Sequence, residues 1–185
     1  RALLEADAAR WGLRSNELDR LAVAMVFLPN DALARPQARK ILERAAQVSG
    51  VHVLGWRTVP IDPSVVGGVA KEFLPGIEQL LLARPEDLSG VAFERMLYLA
   101  RRRAEAAYRE HDVDAYVVSM SARTVVYKGL MVAPQLRSFF PDLGDPRTRS
   151  ALALFHQRFA TNTLPNWSLA QPFRMIAHNG EINTL

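Results

Sequence analysis

The run of residues 21–28 places the strongest constraint on the fold, because all of its side chains are apolar. An apolar run this short, ended by Pro29-Asn30-Asp31, is typical of a buried strand. Apolar patterns of similar length predict further strands over residues 51–59, 77–83 and 115–120. The first two thirds of the chain are therefore expected to supply the strands of a sheet.

Two segments between these strands have the spacing of amphipathic helices. Apolar residues recur at helical spacing from Ala38 to Val48, where Pro36 suits the first turn and Gly50 suits the C-terminal cap. A second helix is predicted over residues 91–110. The strands and helices together predict an α/β protein. Because there is no repeat and no Gly/Ser linker, all 185 residues (1–185) are expected to belong to one domain.

The predicted elements in the last third of the chain are short. A β-rich run over residues 124–128 follows Ser121-Ala122-Arg123 and predicts a hairpin with the strand before it. A short helix is predicted around residues 134–140. Two later apolar runs, residues 152–155 and 173–177, are predicted to be buried strands.

Each of the last two predicted strands leads into a polar run. In the first run, the guanidinium of Arg158 has the planar fork of donors that matches a carboxylate, and Thr161 adds a hydroxyl. In the second run, Asn179 offers an amide and Gly180 an unshielded backbone N–H, the donors that stabilise an oxyanion when a carbonyl is attacked. Each feature also has an ordinary explanation, since an Arg at a strand end is usually a solvated charge and Asn-Gly is a frequent hairpin turn.

Taken together, the residues around the two polar runs have a specific order. They are Arg158-Phe159-Ala160-Thr161-Asn162-Thr163, Pro165, Trp167, Ala170-Gln171-Pro172 and His178-Asn179-Gly180-Glu181-Ile182-Asn183-Thr184. This order resembles the glutaminase domain of glutamate synthase, and residues 21–63 and 119–130 resemble the same domain. Members of that family more often have Ser at the positions of Ala122 and Ala160.

The resemblance implies the fold and mechanism of an N-terminal-nucleophile hydrolase. Its four αββα layers contain two stacked, mainly antiparallel sheets with helices outside, of which this chain would hold only part. In that family the first residue of the mature protein is Cys, whose thiolate attacks the side-chain amide of glutamine while its own α-amino group moves the protons. The ammonia is channelled to a distant site that makes glutamate from 2-oxoglutarate. FMN and an iron–sulfur cluster belong to other domains, so no cofactor is expected within these residues.

The resemblance also assigns roles to individual residues. Arg158 and Thr161 match positions that hold the α-carboxylate of the substrate, and Asn179 and Gly180 match the oxyanion hole. From the length of glutamine, we expect the guanidinium and the oxyanion donors to lie roughly 6–10 Å apart in one pocket. The expected partners are glutamine, the remaining synthase domains and a smaller electron-donating subunit. The chain is expected to be an interior part of a longer protein.

Composition excludes several other functions. The sequence contains no cysteine, so these residues hold neither a Cys nucleophile nor a thiolate metal ligand. The histidines lack the spacing of a local metal motif, and no metal site is expected.

The basic charge does not indicate a nucleic-acid site. The net charge is +4, but the densest basic run, Arg101-Arg102-Arg103, lies on a predicted helix with interleaved glutamates and is interpreted as a solvated face. Because no apolar run approaches the ~18 residues of a membrane helix, a cytoplasmic protein without a membrane partner is expected.

Two functions remain open from the sequence. The first is the glutaminase part of a glutamate synthase, in which this chain alone is inactive because it lacks the nucleophile. The second is a non-catalytic copy of the same ancestry that binds glutamine or acts as a scaffold. The residues that precede Arg1 in the full reading frame discriminate the two, since a Cys at the mature N-terminus favours the enzyme.

Overall fold

The computed structural model describes residues 1–157, 164 and 166–173. These residues form a four-stranded antiparallel sheet with the order β2-β3-β1-β4. The strands are β1 (Leu21–Leu28), β2 (His52–Thr58), β3 (Gly76–Ala83) and β4 (Tyr116–Ser121). The α-helices are α1 (Glu5–Arg10), α2 (Ala34–Val48), α3 (Gly68–Glu72), α4 (Gly90–Glu110) and α5 (Leu136–Phe139). The predicted α/β class and antiparallel pairing are confirmed.

Strand β1 is the centre of the sheet, and every one of its residues is buried. It pairs with β3 along its whole length, from Leu21 opposite Ala83 to Leu28 opposite Gly76. On its other side it pairs with β4, with a register shift between Met25 and Val26. The predictions of strands over residues 21–28, 51–59, 77–83 and 115–120 are therefore confirmed.

The two faces of β1 are covered by different parts of the chain. Successive side chains of a strand point to opposite faces. The even-numbered residues of β1 join a cluster with Leu42 of α2 and with Phe93 and Leu97 of α4, here called the helix-side cluster. Met25 and Phe27 point the other way, into the aromatic cluster, whose buried rings are Phe27, Phe139, Phe140 and Trp167. Leu21 and Val23 join a third cluster with residues near the N-terminus. Burying each large apolar side chain contributes about 1.5–3 kcal/mol, so β1 stabilises both sides of the sheet.

The two long helices begin and end where the sequence predicts. The carboxylate of Asp31 accepts hydrogen bonds from the backbone N–H groups of Leu33 (2.9 Å) and Ala34 (2.7 Å) at the start of α2. Gly50 has a φ of 75° just after the end of that helix, a conformation in which a side chain is strained. The Ser89 hydroxyl accepts from the Ala92 N–H at 3.3 Å and caps α4.

The predicted hairpin over residues 115–128 is wrong in its second half, because residues 124–128 do not form a strand. Ser121 Oγ accepts hydrogen bonds from the backbone N–H groups of Arg123 (2.9 Å) and Thr124 (3.2 Å). Further along, Val126 N–H donates to Ser119 Oγ at 3.1 Å. Serine side chains thus take donors that a hairpin would pair with backbone carbonyls.

The predicted strand over residues 152–155 is also wrong. These residues are irregular, and the side chains of Leu152 and Phe155 are 72% and 76% exposed. A strand is stable only when a neighbour pairs with its backbone, and no described strand pairs with this segment. The predicted strand over residues 173–177 lies outside the described residues except for Phe173. The predicted short helix near residues 134–140 is confirmed as α5, preceded by a 3-10 turn at Ala133–Gln135.

The basic run on α4 is only partly the solvated face that the sequence indicates. Arg101 is buried and donates to Glu105 at 2.6 Å, whereas Arg102 is half exposed and donates to the same carboxylate at 2.8 Å. Arg103 donates to Ser49 Oγ at 2.6 Å, which ties α4 to the end of α2. The run is therefore held by protein partners, and its first residue belongs to the helix packing.

Gly55 of β2 gives a test of how tightly α1 is seated on the sheet. A Cβ atom built on Gly55 would lie 2.2 Å from Cε2 of Trp11, at the end of α1. Gly55→Ala should therefore displace the indole and lower the free energy of unfolding by about 1–3 kcal/mol, measured by urea denaturation. The matched control is Gly68→Ala, where nothing lies within 4 Å and a change within about 0.5 kcal/mol is expected. Equal stability of the two variants would contradict this packing.

Candidate functional site

The four residues predicted to form the site, Arg158, Thr161, Asn179 and Gly180, lie outside the described residues. Their expected convergence in one pocket, and the distance between the guanidinium and the oxyanion donors, stay predictions. The structure does describe residues 166–173, which connect the two polar runs in the sequence. This stretch, here called the inter-run segment, shows how the protein holds the chain between the two halves of the predicted site.

The inter-run segment begins with a tight turn organised by Asn166. The Asn166 side-chain oxygen accepts from the backbone N–H of Ser168 at 2.9 Å and from its hydroxyl at 2.8 Å. The backbone carbonyl of Asn166 accepts from Leu169 N–H (3.2 Å) and Ala170 N–H (3.1 Å). A side chain that bonds its own backbone two residues on is the usual way in which Asn fixes a turn. The turn directs Trp167 and Ala170 inward, where both are 3% exposed.

Trp167 anchors this segment in the aromatic cluster. Its ring centre lies 6.0 Å from that of Phe27, edge to face, and 5.6 Å from that of Phe139. Its indole N–H donates to the carbonyl of Ala70, in α3, at 2.9 Å. Buried Trp needs such a partner for its N–H, and truncating a buried Trp typically costs about 3–5 kcal/mol. One side chain therefore connects the inter-run segment with β1, α3 and α5.

Gly129 makes room for the indole of Trp167. A Cβ atom at Gly129 would lie 2.5 Å from Cζ3 of Trp167 and 2.6 Å from Cε of Met131. Any larger residue there would push the ring away, so the close approach of ring and backbone requires glycine. Gly129 and Trp167 both carry the family resemblance, but their spacing in the sequence gives no sign that they touch.

Lys128 makes the second connection to the inter-run segment. Its side chain is only 2% exposed, and its ammonium donates to the backbone carbonyl of Ser168 at 2.8 Å and to the hydroxyl of Tyr116 at 3.4 Å. The ammonium also lies 4.6 Å from the ring centre of Tyr116 and 4.7 Å from that of Phe173, within range of cation–π attraction. The sequence pattern assigns no role to Lys128. The available signal was a lysine between Tyr127 and Gly129 in an otherwise apolar, β-rich run.

A buried polar network holds the neighbouring residue Tyr127. The guanidinium of Arg57 in β2 donates twice to the carboxylate of Asp142, both at 2.7 Å, and once to Gln79 at 2.9 Å. The hydroxyl of Tyr127 donates to Asp142 at 3.0 Å and accepts from Gln79 at 3.3 Å. Arg57 also pairs with Asp7 of α1 at 3.1 Å. The network therefore fixes Tyr127 against the sheet on the face opposite the two long helices.

The electrostatics of this network favour a charged Arg57 and a neutral Tyr127. Burial lowers the pKa of Arg57, but hydrogen bonds and charge attraction from Asp142 outweigh burial and raise that pKa overall. Burial, followed by the negative charge of Asp142, raises the pKa of the Tyr127 hydroxyl. Both groups therefore keep their hydrogen-bonding protons throughout the physiological pH range.

Comparison with known proteins assigns the chain to a family. The family model for glutamine amidotransferases class-II matches residues 1–185. The chain belongs to this family. It is 46% identical to the glutamate synthase (NADPH) large chain of Azospirillum brasilense over an alignment of 169 residues. This alignment covers 90% of this chain and 11% of the relative. It is 47% identical to ferredoxin-dependent glutamate synthase 2 of Synechocystis over an alignment of 167 residues. This alignment covers 90% of this chain and 10% of the relative. The chain thus spans about a tenth of the length of these curated relatives.

Two surface cavities in this amidotransferase chain do not replace the predicted site. One, of ≈ 360 Å³, is lined by Arg35 and Glu78, and the other, of ≈ 310 Å³, is lined by Arg57 and Arg147. Arg35 donates to Pro29 O and Asn30 Oδ1, both at 2.9 Å. Arg57 is paired with Asp142, and Arg147 with Asp145. The guanidinium groups of both cavities are therefore engaged, whereas a substrate carboxylate requires an available fork.

The described part of the chain contains neither a metal-binding cluster nor a membrane-spanning helix. No group of three or more His, Cys, Asp or Glu side chains there is arranged to hold a metal ion. Within the same residues, no helix has the length and apolar character needed to span a membrane.

The shifted pKa of Tyr127 gives a pH-dependent prediction. Because the pKa in the folded protein lies above the ordinary value of 10.0, the stability contributed by neutral Tyr127 is fully present below about pH 10 and is lost as pH rises further. In an ultraviolet titration of tyrosinate, Tyr127→Phe should leave the phenolates of the folded protein unchanged in number and remove one phenolate after unfolding. Repeating the titration in denaturant provides the control. Loss of a phenolate from the folded titration curve would show that Tyr127 is open to solvent.

Proposed function

We propose that the chain is part of the glutaminase domain of a glutamate synthase large chain, which hydrolyses glutamine to glutamate and ammonia. The family match and the identities of 46% and 47% to two glutamate synthases support this proposal. The observation that carries it in the structure is the anchoring of the inter-run segment by Trp167 and Lys128. A site formed by two separate polar runs requires that the chain between them be held in a fixed position. Here Trp167 holds that chain in the aromatic cluster, and Lys128 holds it next to β4.

In this proposal the two polar runs divide the work of binding and catalysis. Arg158, with Thr161, holds the α-carboxylate of glutamine through a two-pronged, charge-assisted contact. Asn179, through its side-chain amide, and Gly180, through its backbone N–H, stabilise the oxyanion that forms when the amide carbon is attacked. The attacking thiolate comes from a Cys outside these 185 residues, which contain none. The thioester that it forms is hydrolysed by water to give glutamate and restore the thiol.

The remaining partners follow from the same proposal. The ammonia passes to a distant site in another domain of the synthase, where it is combined with 2-oxoglutarate. FMN and an iron–sulfur cluster belong to those other domains; without cysteine, this stretch supplies no thiolate to a cluster. A smaller electron-donating subunit is a further proposed partner. The relatives are named for NADPH and for ferredoxin, so both donors are compatible. The proposed location is the cytoplasm, although some relatives are named as chloroplastic.

The competing proposal is a non-catalytic module that binds glutamine or serves as a scaffold. It is favoured only by the lack of cysteine in these residues. The full reading frame decides between the two: a Cys that becomes the mature N-terminus supports the enzyme, and its absence supports the module.

Replacing Arg158 by Lys in the protein encoded by the full reading frame tests the carboxylate contact. An ammonium cannot reproduce the bidentate fork, so the loss in kcat/KM for glutamine should be about 2–4 kcal/mol. Glutamate formation from added ammonia should continue, because it does not use this site. The matched control is Arg44→Lys at an exposed position of α2, which should change neither reaction. An equal fall in both reactions would make Arg158 structural.

Ammonia release from glutamine tests the proposed source of the nucleophile. The purified 185-residue chain should show no turnover, because no thiolate is present to form the thioester. A version extended at its N-terminus to the expected Cys, and at its C-terminus to the end of the domain in the full reading frame, should be active. Turnover by the shorter chain would show that the nucleophile has been misplaced, and inactivity of both would favour the non-catalytic module.

A further inference from the structure

The ammonium of Lys128 lies between the first residue of β4 and two residues of the inter-run segment. Tyr116 is the first residue of β4, Ser168 lies in the turn near the start of the segment, and Phe173 is its last described residue. The ammonium contacts all three, through hydrogen bonds of 3.4 and 2.8 Å and through the rings of Tyr116 and Phe173. A single charge thus touches the connection between the polar runs at both Ser168 and Phe173.

We propose that Lys128 is a positioning residue for glutamine hydrolysis, holding the inter-run segment so that Arg158 and Asn179 face the same substrate. This inference rests on the proposed function. Lys128 does not itself contact glutamine in the proposal. It acts through Ser168, which follows the first polar run in the sequence, and through Phe173, which precedes the second.

The chemistry of lysine suits this role better than that of a neutral side chain. A buried ammonium is costly to desolvate, so its contacts with oxygen atoms and aromatic faces are difficult to exchange for other arrangements. Trp167 fixes the depth of the segment through packing, and its indole hydrogen bond to Ala70 O ties the side chain to α3. The hydrogen bond from Lys128 to the Ser168 carbonyl adds direction, because hydrogen bonds weaken steeply as their angle departs from linear. Trp167 therefore keeps the segment buried against the aromatic cluster, and Lys128 sets the orientation of its backbone at Ser168.

Lys128→Met tests the proposal, because methionine has similar length and packs in the same space but carries no charge and no N–H donor. In the protein encoded by the full reading frame, kcat/KM for glutamine should fall roughly 10-fold or more, as expected for loss of a buried charge-assisted hydrogen bond. The rise in KM for glutamine should account for much of this change, and ammonia-dependent glutamate formation should stay within about twofold. Lys40→Met makes the same chemical change at an exposed position of α2 and should leave both reactions unchanged.

Amide hydrogen exchange provides a readout that does not depend on activity. In Lys128→Met, exchange should become faster in residues 166–173 while β1 keeps its protection, because only the local connection is released. Equal acceleration in β1 would mean that the substitution destabilises the whole fold, which would overturn a positioning role. Unchanged exchange in residues 166–173 would equally overturn it.

A second variant keeps the test decisive if Lys128→Met fails to fold. Phe173→Leu retains the ammonium but removes one of its aromatic contacts, and should lower kcat/KM for glutamine by about threefold in the same direction. If Arg158→Lys impairs glutamine use while Lys128→Met and Phe173→Leu behave like Lys40→Met, the role of Lys128 is refuted and the proposed function stands. If Arg158→Lys leaves glutamine use intact, only the assignment of Arg158 to the carboxylate fails; if the protein encoded by the full reading frame releases no ammonia from glutamine, the proposed function fails and the positioning role fails with it.

Discussion

Burial of β1 on both faces is the constraint on which the described structure depends. An apolar strand of this kind cannot lie on a surface, so it needs a layer on each side. Helices α2 and α4 supply one layer through the helix-side cluster. The other layer comes from the segments around α5 and Trp167, through the aromatic cluster, and from the N-terminal residues that pack on Leu21 and Val23. The second layer is the one that carries the inter-run segment. The central strand therefore links the general stability of the domain to the position of its proposed site.

Among the described residues, the buried charged groups are held by specific partners. Glu78 is 2% exposed and accepts two hydrogen bonds from Arg39, at 2.8 and 2.6 Å. Arg57 and Asp142 form a similar two-pronged pair. Removing one partner of a buried pair leaves an uncompensated charge, which typically costs about 3–5 kcal/mol. Such contacts constrain geometry more than they add net stability, and this supports assigning Lys128 to orientation rather than to packing.

The sequence predicted those features that depend on local pattern. The apolar run at residues 21–28 and the helical spacing at residues 91–110 were enough to locate β1 and α4. Pattern alone failed at residues 124–128 and 152–155, because a strand requires a partner and serine side chains can divert backbone donors. The contact of Trp167 with Gly129 and the contact of Lys128 with Ser168 could not be predicted, since nothing local specifies which distant residues meet. The polar runs themselves were recognised by resemblance, and their geometry remains a prediction.

The register of β1 has a consequence for how the chain folds as it is synthesised. Leu28 pairs with Gly76 and Val23 pairs with Ser121, so the central strand leaves the ribosome well before either neighbour exists. Pairing between distant segments is slow, and an exposed apolar strand is prone to associate with other chains in the meantime. Helix α2 follows β1 directly and packs on one of its faces, so it can shield that face early. On the other face, Leu21 and Val23 pack with Leu4, Ala8 and Leu13, which precede β1, but Met25 and Phe27 stay uncovered until α5 and Trp167 have been made. The part of the chain nearest the proposed site is therefore the last to complete the core around β1.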